Sequence, residues 1–162
     1  MADEPEGSLP RDPDTEVEDG AARPVHLRPA YVVIVAAGGA AGASAREGLA
    51  LAFPAVNGIP YTILAINVVG ALLLGLLVES LARRGPDHGR RRTLRLLLGT
   101  GVLGGFTTYS ALATDAARLI ADGRAAAGIT YGLATVMIGA VVTWAGIALG
   151  VLTHAPSRGA RA

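Results

Sequence analysis

The sequence predicts an all-α membrane protein of four transmembrane helices. Three observations carry this. Of 162 residues, 51% are hydrophobic and only 17% charged, with mean hydropathy +0.45. The charges are segregated, since no Asp, Glu, Lys or Arg lies between Gly48 and Val78 or between Ala125 and Thr153. Uncharged apolar runs of about 20 residues are long enough to cross a bilayer as helices. Finally, the segment from about Leu94 to Ile120 has a spanning length but is interrupted near its middle by Gly104-Gly105 and then by Thr107, Thr108 and Ser110. Irregular backbone at membrane depth is tolerated only where it is buried in protein or lines a polar cavity. An interruption there points to ion binding or passage.

Taken in order, residues 1–28 are rich in Asp, Glu, Pro and Gly and poor in large apolar residues. Such a segment cannot bury enough surface to offset its ordering entropy, and is read as a disordered acidic tail. Residues 29–153 form the membrane domain and 154–162 a short basic tail. The first span, Ala30–Leu51, carries a small-residue face of Gly38, Gly39, Gly42, Ala43 and Ser44, which lets helix backbones approach closely. By residue type Arg46 either snorkels to the interface or holds an anion at a vestibule. A loop with Pro54, Asn57, Gly58 and Pro60 follows. The second span, Tyr61–Leu81, contains Asn67, whose carboxamide should face another helix or a pore rather than lipid.

The loop from Arg83 to Arg95 holds six arginines, and the positive-inside rule assigns it to the cytoplasm. The interrupted third span and a turn at Gly123 lead to the fourth span, Ala125–Leu152. Four spans then place both termini inside, leaving Arg46, Arg118 and Arg124 for the opposite side. That asymmetry predicts one fixed orientation.

Several other classes lose support. The arginines flank spans with no aromatics among them, which argues against nucleic acid as a partner. There is no cysteine, so disulfides and thiolate metal sites are excluded. Gly99, Gly101 and Gly104 spell G-x-G-x-x-G, yet a dinucleotide site needs a strand before it and a water-accessible βαβ unit around it. Ser110 has no His base nearby in sequence, and no catalytic constellation indicates an enzyme. A proton-coupled exporter of cationic drugs or guanidinium needs a buried carboxylate, and the first span has none before Glu47.

Residues 101–110, Gly-Val-Leu-Gly-Gly-Phe-Thr-Thr-Tyr-Ser, closely resemble the signature G-x-x-G-G-x-T-T-F-S of the bacterial Fluc (CrcB) fluoride channels. Gly38–Arg46 resembles that family's first-span motif, and Leu64-Ala-Ile-Asn67-Val-Val-Gly70 its second-span Asn motif. The resemblance implies a fluoride-selective channel of the bacterial cell membrane, assembled as an antiparallel, dual-topology-type dimer. It implies that backbone carbonyls of Gly104 and Thr107 hold a structural Na⁺ at the dimer centre. It places Asn67, Thr108, Ser110 and Thr135 along the fluoride path with Tyr131 nearby, and Arg46 toward a vestibule. Tyr109 and Leu112 fall where the family normally has two phenylalanines facing the ion.

Fluoride is strongly hydrated and needs close donors in place of water, and electropositive ring edges can face it without trapping it. Two features depart from the pattern. Leu112 has no ring, and the basic residues are biased to one side, whereas an antiparallel homodimer needs a chain that inserts both ways. Together they favour a heterodimer with an oppositely oriented paralogue. A homodimer tolerant of Leu112 and a non-conducting assembly subunit stay open as alternatives.

Overall fold

A computed structural model describes residues 27–152. The expectations for the acidic and basic tails fall almost wholly outside that range. The described residues are helical, joined by short turns. Helix α1 (Pro29–Ala52) opens on a proline, which suits a first helical position because its missing N–H has no partner to lose there. Helix α2 (Tyr61–Ala82) follows Pro60. The third helical run comprises α3 (Arg90–Leu94), a π-helical stretch Arg95–Leu103 and α4 (Gly104–Phe106). Helix α5 (Tyr109–Ala121) and helix α6 (Ala125–Leu152) complete the chain.

Three stretches are long and apolar enough to cross a membrane: Tyr61–Ala82, Arg90–Ala121 and Ala125–Leu152. Helix α1 has 24 residues but falls outside that set. Its alanines and glycines, with Arg46 and Glu47 in the last third, lower its hydropathy.

Glycine decides the packing. At Gly42 a Cβ would run into the Val102 carbonyl, and at Gly105 into the carbonyl of Gly39, so α1 and the third run lie backbone to backbone. Val35 faces Gly101 and Gly42 faces Phe106, so the two run parallel. A second seam joins α2 to α6, with Gly75 against Thr143, Gly146 against Leu72, and Gly150 against Glu79, again in parallel. Helix α5 returns antiparallel onto α6, bringing Gly128 beside Ala116 and Leu119. Thus α1 and the third run start at the arginine-rich end, and α2 and α6 finish there.

The opposite end is stitched by a tight turn. Asn57 (φ 52°) and Gly58 (φ 76°) sit between Val56 and Ile59, whose amides and carbonyls exchange bonds of 3.1 and 3.0 Å. Two positive φ values in succession are what an Asn-Gly pair tolerates best. Arg124 Nη1 donates to the Asn57 carbonyl at 2.7 Å, tying the α5–α6 turn to it.

The burial pattern is inverted relative to a water-soluble domain. Among the described residues no large side chain is fully buried, while Leu51, Val141 and Trp144 (78% exposed) stand on the outside. Glycines and threonines occupy many of the buried positions. Extensive exposed apolar surface is a liability in water but matches a lipid surround.

The third run leaves helical geometry at two residues, Thr107 (φ −78°, ψ 155°) and Thr108 (φ −152°, ψ 118°). This differs in detail from the sequence reading. Gly104 and Gly105 do not themselves unwind, since Gly104 is helical at φ −63°, ψ −36°. Their role is close approach, with Gly105 set against Gly39. The π-helical stretch before them has no counterpart in the sequence reading.

Candidate functional site

The extended pair Thr107-Thr108 is held from α2. Asn67 Oδ1 accepts from the Thr108 amide at 2.8 Å, and Asn67 Nδ2 donates to the Thr108 carbonyl at 3.0 Å. Only one orientation of the carboxamide satisfies both bonds. One turn further along the same face, Gly70 leaves room for the Thr107 methyl, which any Cβ at position 70 would strike. Asn67 and Gly70 are three residues apart and so neighbours on one helix face. The first receives the backbone of one threonine, the second the side chain of the other.

Two peptide oxygens lose their helical donors in consequence. In a continuous helix the Thr108 amide would serve the Gly104 carbonyl, but it is taken by Asn67. The Ala111 amide would serve the Thr107 carbonyl, but it donates instead to Thr108 Oγ1 at 3.1 Å, an N-cap that starts α5. Thr108 Oγ1 also lies 3.2 Å from Ser110 Oγ. The break therefore sets the carbonyl end of one helical run against the amide end of the next. Partial negative charge collects at the first and partial positive charge at the second.

A groove of about 310 Å³ opens beside the break. Of the residues singled out from the sequence, Asn67, Thr107, Thr108, Tyr109, Leu112 and Thr135 line it together. Thr108 (7% exposed) and Thr135 (3%) are its buried hydroxyls. Gly104, Ser110 and Arg46 are not among its lining residues. Gly104 is exposed on the chain surface, and Arg46 Nε is buried with no hydrogen-bond partner.

The two positions matching the family phenylalanines differ sharply. Tyr109 is 77% exposed, whereas Leu112 is 5% exposed and packs with Leu119 and Tyr131. The Tyr131 hydroxyl reaches the Pro60 carbonyl at 3.4 Å.

Sequence reading missed Thr143 and Gly139, which also line the groove. The available signal was spacing. Tyr131, Thr135, Gly139 and Thr143 recur every four residues on α6 and so share a face. Thr135 donates to the Tyr131 carbonyl at 2.7 Å and Thr143 to the Gly139 carbonyl at 2.8 Å. These hydroxyl protons are engaged along the helix itself. Asn67 Nδ2, with two protons and one used, keeps a donor to spare.

Exposed apolar helices around a groove at a helix break, where Asn67 and threonines are brought together, define a multi-pass helical membrane protein. Residues 33–147 match the family model described as "CrcB-like protein, Camphor Resistance (CrcB)", and the chain belongs to that family. "Fluoride-specific ion channel FluC 2" of Leifsonia xyli is 54% identical over 127 residues, 78% of this chain and 88% of that protein. "Fluoride-specific ion channel FluC 1" of Cutibacterium acnes is 47% identical over 122 residues, 75% of this chain and 85% of that one. "Fluoride-specific ion channel FluC" of Agrobacterium fabrum is 40% identical over 124 residues, covering 74% and 94% respectively.

Proposed function

We propose that the chain is a subunit of a fluoride-selective channel in the bacterial cell membrane, through which cytoplasmic fluoride leaves down its electrochemical gradient. The observation that carries this is the diversion of the Thr108 and Ala111 amides away from the Gly104 and Thr107 carbonyls. It prepares oxygens for a hard cation on one side of the break and amide dipoles for an anion on the other. The names of the relatives supply the identity of the anion.

The donor set fits a structural Na⁺. Peptide oxygens relieved of their amides are neutral ligands of the kind that unwound membrane helices offer to Na⁺. Among the described residues there is no group of three or more His, Asp or Glu side chains to offer instead. When bound by the carbonyls of Gly104 and Thr107, Na⁺ supplies a fixed positive charge. Asn67 lends its spare N–H to the anion, with its carboxamide locked by Thr108. The hydroxyls of Thr108 and Ser110 continue the path, Thr135 borders it with its proton held by the Tyr131 carbonyl, and Arg46 stands toward a vestibule with an unused donor. Such weak, distributed donation lets an ion enter and leave.

In this reading α1 also crosses the membrane and brings the spans to four, since 24 helical residues extend about 36 Å. The third span is the one broken in mid-membrane. The arginine-rich end, with both termini, faces the cytoplasm. Among the described residues that end carries Arg28 and the six loop arginines, against Arg46, Arg118 and Arg124 toward the far end. One orientation per chain makes the partner in an antiparallel dimer a paralogue of opposite orientation, which also compensates for the missing ring at Leu112.

Fluoride efflux from liposomes tests this. The chain co-reconstituted with a paralogue of opposite charge bias conducts, and the chain alone conducts poorly. Robust flux from the chain alone removes the heterodimer. Absence of flux in every combination removes the channel.

A further inference from the structure

We infer that the arginine-rich end holds the phosphate head group of an anionic phospholipid, in a groove distinct from the ion path. The inference rests on the membrane reading above. The groove, of about 270 Å³, is lined by Val78, Leu81 and Ala82 of α2 together with Gly85, Asp87, Arg91 and Arg95.

Its guanidinium groups are held in place before any ligand arrives. Gly85 has φ 113°, a conformation that side chains rarely adopt, and a Cβ there would strike Arg91 Nη1. That space lets Arg91 fold over the loop and donate to the Arg84 carbonyl. Asp87 Oδ2 accepts from Arg95 Nη2 at 2.8 Å and from Arg95 Nε at 3.1 Å, which fixes the second guanidinium. Arg92 is tied to the same residue, its Nε donating to the Asp87 carbonyl at 2.9 Å. Preorganised donors bind with less entropy lost on ordering.

Charge and shape both select the ligand. Residues 79–95 contain six arginines and two carboxylates, Glu79, engaged by Arg83 at 2.6 Å, and Asp87. This stretch of sequence is strongly basic. Guanidinium matches phosphate in geometry and hydration. The α2 side of the groove is aliphatic, and Val78 there is exposed, as are Leu94 and Leu98 on the third run. A soluble anion has no use for that wall, and an acidic peptide has little. A lipid places its phosphate at Arg91 and Arg95 and its chains over the apolar surface. Basic grooves at the cytoplasmic ends of membrane helices suit anionic head groups.

The test uses the purified full-length chain in detergent. Lipid retention is followed by native mass spectrometry and thermal unfolding by circular dichroism, with phosphatidylglycerol, phosphatidylcholine or inorganic phosphate added. Phosphatidylglycerol should be retained and should raise the midpoint, while phosphatidylcholine does neither. The double variant Arg91→Gln/Arg95→Gln should weaken phosphatidylglycerol binding at least tenfold, and Arg90→Gln, outside the groove lining, should weaken it less than twofold. If the double variant is misfolded by circular dichroism, Val78→Asp takes its place and should show the same loss.

Equal binding of the two lipids, or unchanged binding in a folded double variant, overturns the proposal. So does an equal effect of inorganic phosphate, which would make this a soluble-anion site. Phosphatidylglycerol binding that emerges only after deletion of residues 2–20 also overturns it, since the groove would then belong to the acidic tail. Fluoride flux is a separate readout. Its failure with lipid retention intact counts against the channel and leaves the lipid site standing.

Discussion

Two glycine seams hold this molecule together, and only one of them runs into a break. Along α2 and α6 the chain tolerates Gly128, Gly132, Gly139, Gly146 and Gly150 within one uninterrupted helix of 28 residues. Along α1 and the third run, helical geometry stops at Thr107. Glycine is plentiful in both, so glycine is not what unwinds the chain. The difference is competition for backbone groups. At the break the Asn67 carboxamide and the Thr108 hydroxyl each capture an amide that a helix would have used. On α6 the threonine hydroxyls donate to carbonyls one turn back and leave every amide in place. Side chains that accept from the backbone end helices, whereas those that only donate to it decorate them.

The largest losses are expected at the seams. Gly105→Val and Gly146→Val each push a side chain into a carbonyl of the facing helix. Each should cost about 3 kcal/mol, the upper end for overpacking, or prevent folding. Reversible unfolding of the full-length chain in mixed detergent would measure this. Tolerance of both within about 1 kcal/mol would mean that the seams are not close-packed.

Asn67→Leu removes both bonds to Thr108 without touching either seam. It should destabilise by about 1–3 kcal/mol, the range for leaving buried polar groups unpaired. If the same bonds shape the ion path, fluoride flux of the assembled channel should fall by about tenfold or more, as a barrier increase of about 1.4 kcal/mol would give. Asn67→Asp sharpens the reading, because a carboxylate still accepts from the Thr108 amide yet offers its carbonyl no donor. It should abolish flux while recovering part of the stability. Flux at the unmodified level in Asn67→Leu would detach the break from conduction.

Thr108→Val keeps the branched shape and removes the helix cap, for about 1 kcal/mol, with Thr108→Ser recovering most of it. The smallest effect is expected on α1 itself. Gly48 shares that helix with Gly42 but has nothing within 4 Å of its would-be Cβ. Gly48→Ala should therefore stabilise by about 0.5 kcal/mol through helix propensity alone. A loss there comparable to that at Gly105 would show that glycine matters along α1 for a reason other than close approach.

Much of this was legible in the sequence because bilayer chemistry is written in composition. The bounds of α6 and the start of α2 follow from where charges and prolines stop. Asn67 stands out as a carboxamide amid aliphatic residues, and its partner proves to be the interrupted segment. What stayed hidden depends on which neighbour each residue meets. Leu112, a residue of the proposed pore, is buried against Tyr131 within this chain as well as lining the groove. No local pattern distinguishes those two surroundings. The unwinding falls at Thr107-Thr108 rather than at the glycine pair, because the captured amides belong to Thr108 and Ala111 and one captor sits 41 residues away. The π-helical stretch is likewise invisible to periodicity, as glycine, threonine and leucine serve either helical form.

The parallel seam between α2 and α6 has a consequence for biosynthesis. Leu72, Leu76 and Glu79 meet their glycine partners only at Gly146 and Gly150, after the third run and α5 have been made. Until those are translated, α2 waits in the lipid with its small-residue face bare. The nascent chain must therefore be sheltered or tethered until α6 follows and the seam can close.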